Sequence, residues 1–229
     1  PLGDKTTVFV GDNMDGSTLY STACVYGGPT NNLDDCGNGS SAMAGGAGTA
    51  AGASFDIGNG FTAALGYTGD GSSTNGLLTK EGLDTYGGQL SYAADSYGLS
   101  VTYANVESAD DTTFWGLNGY WTPDSAGSMP SISVGYEMGN PEKEGEKDTT
   151  AFFLGFEWDE VGPGTLGAAL GTTGHIADGS TEYYMYEAFY SYPVNDGMTI
   201  TPLVYLKEQG PAETALDETG FMVKTSFSF

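Results

Sequence analysis

From Phe55 to Phe229 the chain repeats one pattern: roughly ten residues in which apolar side chains alternate with small or polar ones, then a turn signal, then another such run. Phe61, Ala63, Leu65 and Tyr67 alternate with Thr62, Ala64, Gly66 and Thr68, and Ile132, Val134 and Tyr136 with Ser131, Ser133, Gly135 and Glu137. A period of two belongs to a strand with one greasy face and one small or polar face; a helix would repeat at 3.6. Read this way, the chain has twelve strands, near 5–13, 48–58, 60–69, 84–94, 97–108, 111–122, 130–139, 148–159, 164–173, 181–193, 197–208 and 218–229. Strands of a soluble sandwich usually run about 5–6 residues, whereas runs of about ten match a tilted membrane-crossing strand. The expected fold is all-β, an antiparallel transmembrane β-barrel filling residues 1–229.

The connections point the same way, because outer-membrane barrels alternate short turns on one side with longer loops on the other. The long ones are 14–47, 70–83, 140–147, 174–180 and 209–217, with 109–110 too short for its place. The short ones include Gly58-Asn59, Asp95-Ser96, Glu160 to Gly162 and Val194 to Asp196, with Pro123 to Met129 somewhat longer. Tyr67, Tyr92, Trp115, Trp121, Trp158, Tyr192, Phe227 and Phe229 fall toward strand ends, where an aromatic body and a polar tip both find partners at the headgroup level.

Composition removes several classes of function. No apolar run approaches the about 18 residues that a membrane-spanning helix needs. The net charge of −24 argues against a nucleic-acid partner, which needs a basic surface. The chain opens on Pro1-Leu2-Gly3-Asp4 with no Met and no signal-like segment, as a processed or truncated product would. His175 is the sole histidine and stands at the start of a predicted loop, with no nucleophile–base spacing around it, so no catalytic residue, cofactor or enzymatic activity is expected. Asp12-Asn13-Met14-Asp15-Gly16 opens like a calcium loop but lacks the distal glutamate, and no metal site is assigned. Glu142, Glu144 and Glu146 with Lys143 and Lys147 read as a solvated hairpin tip. Cys24 and Cys36 share a polar, Gly-rich stretch; a local disulfide in an oxidising compartment is the natural reading, two free thiols the alternative.

The alternation also sorts the wall. If Leu90, Tyr92, Leu117, Trp121, Val134, Leu154, Phe156, Val204, Val223 and Phe227 face lipid, then Gln89, Asn118, Glu137, Glu157, Glu187, Lys207 and Lys224 face a water-filled lumen. A Lys on the lipid face near the midplane would cost about 2–4 kcal/mol. For Glu157 and Lys207, near strand ends, a place in the headgroup zone is the alternative.

The final run, Gly220-Phe221-Met222-Val223-Lys224-Thr225-Ser226-Phe227-Ser228-Phe229, resembles the C-terminal signal that outer-membrane barrels present to their insertion machinery, carried by Phe221, Val223, Phe227 and Phe229. More narrowly, Pro1 to Gly11 and the Gly-rich hairpins from Ala51 to Gly69 are similar to cyanobacterial porins of the carbohydrate-selective OprB type, also catalogued as iron-uptake porins. That resemblance implies passive diffusion of ions and small hydrophilic solutes through a bacterial outer membrane. It implies contact with lipid and lipopolysaccharide, assembly as a homotrimer, and a wall-binding N-terminal domain and four strands that this sequence lacks. The twelve strands would then be the last of a sixteen-stranded barrel. Residues 14–47 would be its third loop, folded inward as a constriction lined by Asp15, Asn31, Asn32, Asp34 and Asp35 and preferring cations; an exposed loop outside the barrel is the alternative. The runner-up function is a surface-interaction barrel for adhesion or phage binding, with little conductance.

Overall fold

The computed structural model describes all residues except 1–2, 31–32, 34–35, 37–47, 70–78, 80–81, 108–109, 125–126, 128, 210–215 and 229. Its elements in chain order are β1 (Thr6–Met14), a short 3-10 helix (Gly16–Leu19), β2 (Gly48–Gly58), β3 (Phe61–Gly69), β4 (Asp84–Ala93), β5 (Tyr97–Val106) and β6 (Thr112–Trp121). There follow β7 (Ser131–Pro141), β8 (Thr149–Val161), β9 (Gly164–Thr172), β10 (Ile176–Ala177), β11 (Tyr184–Asn195), β12 (Met198–Lys207) and β13 (Glu218–Phe227). All strands join one sheet in which sequence neighbours pair antiparallel; β10 alone leaves the path and pairs with β8. The twelve long strands match the alternating runs, and the two-residue β10 is an addition inside the loop expected at 174–180. Among the described residues β1 and β13 do not pair, so the sheet has two open edges.

Pairing in exact register carries each face unbroken across the strands, because residues directly opposite share a face. One row runs Ala63, Leu90, Val101, Leu117, Tyr136, Phe152. The row beside it runs Gln89, Thr102, Gly116, Glu137, Ala151. The first face is apolar and open: Leu65 and Leu99 are each 60% exposed, with Leu90, Leu117, Val134 and Val204 also exposed. Charged residues of this parity, Asp12, Asp84 and Glu160, stand at strand ends. Aromatics bracket the apolar band. Tyr103 and Trp115 pack at 5.0 Å toward one rim, with Tyr67 opposite Tyr86, and Phe61 and Tyr92 at 4.7 Å toward the other, with Tyr97 opposite Trp121. A continuous apolar face of this extent is matched by lipid and not by water.

The turns take the backbone the short connections require. Gly58, Asn59 and Gly60 all have positive φ, at 94°, 54° and 84°, which lets β2 reverse into β3 within so few residues. The buried apolar cluster lies on the polar face, where Phe153, Ala169, Met185, Phe189 and Leu203 of β8–β12 meet Tyr26, Leu33 and Cys36 from the β1–β2 connection.

Candidate functional site: a strap across the polar face

The described part of the β1–β2 connection, Asp15 to Thr30 with Leu33 and Cys36, lies against the polar face and not off the end of the sheet. It begins with Asp15, whose carboxylate accepts from the amide and hydroxyl of Ser17, both at 2.8 Å, and so caps the 3-10 helix. Gly16 N donates to Thr68 Oγ1 on β3 at 2.7 Å. Tyr20 is packed in beside it; burial, and then the Asp15 carboxylate, push its phenol above the ordinary tyrosine range.

From Ser21 onward the segment is extended and crosses the strands one after another. Ser21 N donates to Gln89 Oε1 on β4 at 2.6 Å, and Ala23 N to Ser100 Oγ on β5 at 3.0 Å. Val25 N and Tyr26 N share Ser133 Oγ on β7 at 3.1 Å, and Gly27 N donates to Glu157 Oε2 on β8 at 3.0 Å. Tyr26 Oη donates to Glu187 Oε1 on β11 at 2.9 Å, and the Thr30 hydroxyl donates to the other oxygen of that carboxylate. Returning, the Cys36 carbonyl accepts from Asn118 Nδ2 on β6 at 2.6 Å. An extended chain without a strand partner must find acceptors for its amides, and here wall side chains supply them.

Two devices fix the strap. Cys24 and Cys36 form a disulfide with their Cα atoms 5.8 Å apart. Tyr26 drops its ring between Phe153, at 5.4 Å, and Phe189, at 5.8 Å. Gly155 makes that possible, since a Cβ there would stand 2.8 Å from Tyr26 Cγ. Ser21, Val25 and Gly27 are exposed, while Ala23, Tyr26 and Thr30 face the wall and are buried.

All seven wall residues singled out from the sequence, Gln89, Asn118, Glu137, Glu157, Glu187, Lys207 and Lys224, share the strap's face. Phe221, Val223 and Phe227 point the other way. The seven are not equivalent. Gln89, Asn118 and Glu187 are spent on the strap, and Glu137 is 0% exposed beneath His175 of the β9–β11 connection. Glu157 and Lys207 are half-buried and Lys224 is exposed. The Asp15 carboxylate is occupied as a cap. Asn31, Asn32, Asp34, Asp35 and Phe229 lie outside the described residues. Ser100, Ser133, Tyr26 and Thr30 also anchor the strap; alternation places Ser133 on the polar side of its strand without giving it a role, and Ser100 shares that parity, while Tyr26 and Thr30 carry no signal in the sequence.

Neither a family model nor a curated protein matches this chain. Among solved structures, the anion-selective porin from Comamonas acidovorans superposes with a TM-score of 0.65, over 81% of this chain and 61% of that one, at 14% identity. The fold is that of a porin. This chain spans about 61% of that porin's length, so its open-edged sheet corresponds to part of the other's porin fold.

Proposed function

We propose that this chain is the wall of a bacterial outer-membrane porin, a water-filled path for ions and small hydrophilic solutes, in which residues 14–47 narrow the passage. The observation that carries the reading is the strap: a segment bound by its own amides to wall side chains, on the face opposite the apolar one. If the apolar face meets lipid, the strap stands in water, and solutes pass between its free side and the wall beyond. Closure into a barrel of sixteen strands and assembly as a homotrimer belong to the same proposal. So does the finer kinship with cyanobacterial OprB-type porins, and with it sugars or inorganic nutrients such as iron as solutes.

Cation preference rests within this reading on Asp34 and Asp35. Glu137 and Glu187 are buried beneath other segments and lend little field to open water, and Lys207 and Lys224 oppose the preference. Planar-bilayer recording of the intact protein tests the pore: defined current steps are expected, and an inserted protein without steps would make it an anchor or receptor. Replacing Asp34 and Asp35 with Asn is expected to lower the cation-to-anion permeability ratio, most clearly at low salt where screening is weakest. Unchanged reversal potentials would remove those carboxylates from the path.

A further inference from the structure

His175 stands immediately before β10, whose residues Ile176 and Ala177 pair with Thr150 and Thr149 of β8. Its ring meets Phe114 edge-on, with centroids 5.1 Å apart. Nδ1 lies 2.9 Å from Thr149 Oγ1, and Nε2 lies 3.5 Å from Glu137 Oε1. Gly139 opens the room for this arrangement, since a Cβ there would stand 2.6 Å from Thr149 Oγ1 and 2.8 Å from Phe114 Cε1. The only histidine of the chain thus bends back from a connection to meet a carboxylate with 0% exposure on the strap's face. Imidazole is the side chain that ordinarily changes charge between about pH 5 and 8. Of the elements around it, β7 brings Glu137, β8 brings Thr149 and β6 brings Phe114. On the connection itself the neighbouring charge is Asp178, whose carbonyl accepts from Lys147 Nζ and whose amide donates to the Asp148 carbonyl.

We propose that His175 and Glu137 form a proton-operated latch that fastens the β9–β11 connection to the strap-bearing face. With the ring charged, Nδ1 donates to Thr149 Oγ1 and Nε2 faces the Glu137 carboxylate as an ion-pair partner at 3.5 Å. The ion pair is then sheltered from most of the screening that weakens surface pairs. With the ring neutral the charge attraction is gone, and the two-residue ladder of β10, with the Lys147 Nζ bond to the Asp178 carbonyl, is left to hold the connection. The latch is therefore tight while the ring carries its second proton and loosens as that proton is lost.

Hydrogen exchange on the intact protein in micelles reads the latch directly, at the Asp178 amide bonded to Asp148 O and the Thr173 amide bonded to Tyr183 O. After correction for the intrinsic pH dependence, their protection is expected to fall several-fold from about pH 5 to about pH 8. His175→Gln and, separately, Glu137→Gln are expected to be flat at the lower value. Protection that does not change with pH in the native protein, or a native-like response in both variants, overturns the latch. A current arm rests on the pore reading: brief closures become more frequent over the same range in the native protein and not in His175→Gln. Exchange that responds while the current does not would overturn the link to conductance and leave the latch standing.

Discussion

Side chains on the polar face are sized against one another in pairs. Phe9 lies opposite Gly52, Tyr120 opposite Gly98, Phe114 opposite Gly139, Phe189 opposite Gly167 and Tyr205 opposite Gly220. A Cβ on Gly167 would stand 2.1 Å from Phe189 Cε1, and one on Gly220 would stand 2.1 Å from Tyr205 Cε1. The aromatic covers its neighbour's bare backbone, which keeps bulk low on a face that must also seat the strap. Phe189 is buried against Tyr26 and Leu203 and cannot swing away, whereas Tyr205 is only partly buried. Gly167→Ala is accordingly expected to cost about 1–3 kcal/mol, and Gly220→Ala clearly less. Urea unfolding of the two variants in lipid vesicles compares them, and equal costs would mean that the Phe189 ring yields. Tyr26→Phe removes a donor to the buried Glu187 carboxylate and is expected to cost about 1–3 kcal/mol in the same assay. Parity at this scale is written in the alternation, so the common face of Gln89, Glu137 and Glu187 was legible. Their burial was not, since it depends on which distant segment lies over them.

Among elements, the strands were legible and the strap's course was not, for one physical reason. A strand between two partners must alternate, and alternation over about ten residues leaves a period that can be counted. The strap has one side on the wall and its amides on side chains, so Ser21 to Thr30 carries no period. β10 is too short to show one and exists because β8 outruns β9, leaving Thr149 and Thr150 an unpaired edge to fill. The expected disulfide was legible from spacing and composition, and it is present between Cys24 and Cys36. Its role is local: it ties the strap's outward run to its return. Replacing both cysteines with Ser is expected to make the segment from Asp15 to Cys36 several-fold more open to protease while the strands stay protected. Mapping of early cleavage sites checks this, and a strap as resistant as before would show that the Tyr26 and Glu187 contacts suffice alone.

At the scale of the whole molecule, one face of the sheet is apolar and open and the other is polar and carries the strap. The apolar face holds its charges to the strand ends, between bands of Tyr, Trp and Phe. The polar face gives its acids to holding segments of the same chain, which separates the question of what holds the strap from the question of what selects ions. The pore account predicts that the strap's free side meets the permeant solution. Val25 is exposed there, and Leu117 is exposed on the opposite face. The direct test is single-channel current of Val25→Cys and, separately, Leu117→Cys, exposed to a bulky, charged, thiol-reactive methanethiosulfonate, the native cysteines being already bridged. The account predicts a lasting stepwise drop in current for Val25→Cys and no change for Leu117→Cys. Current unaffected at Val25→Cys, with the thiol shown to have reacted, would contradict it.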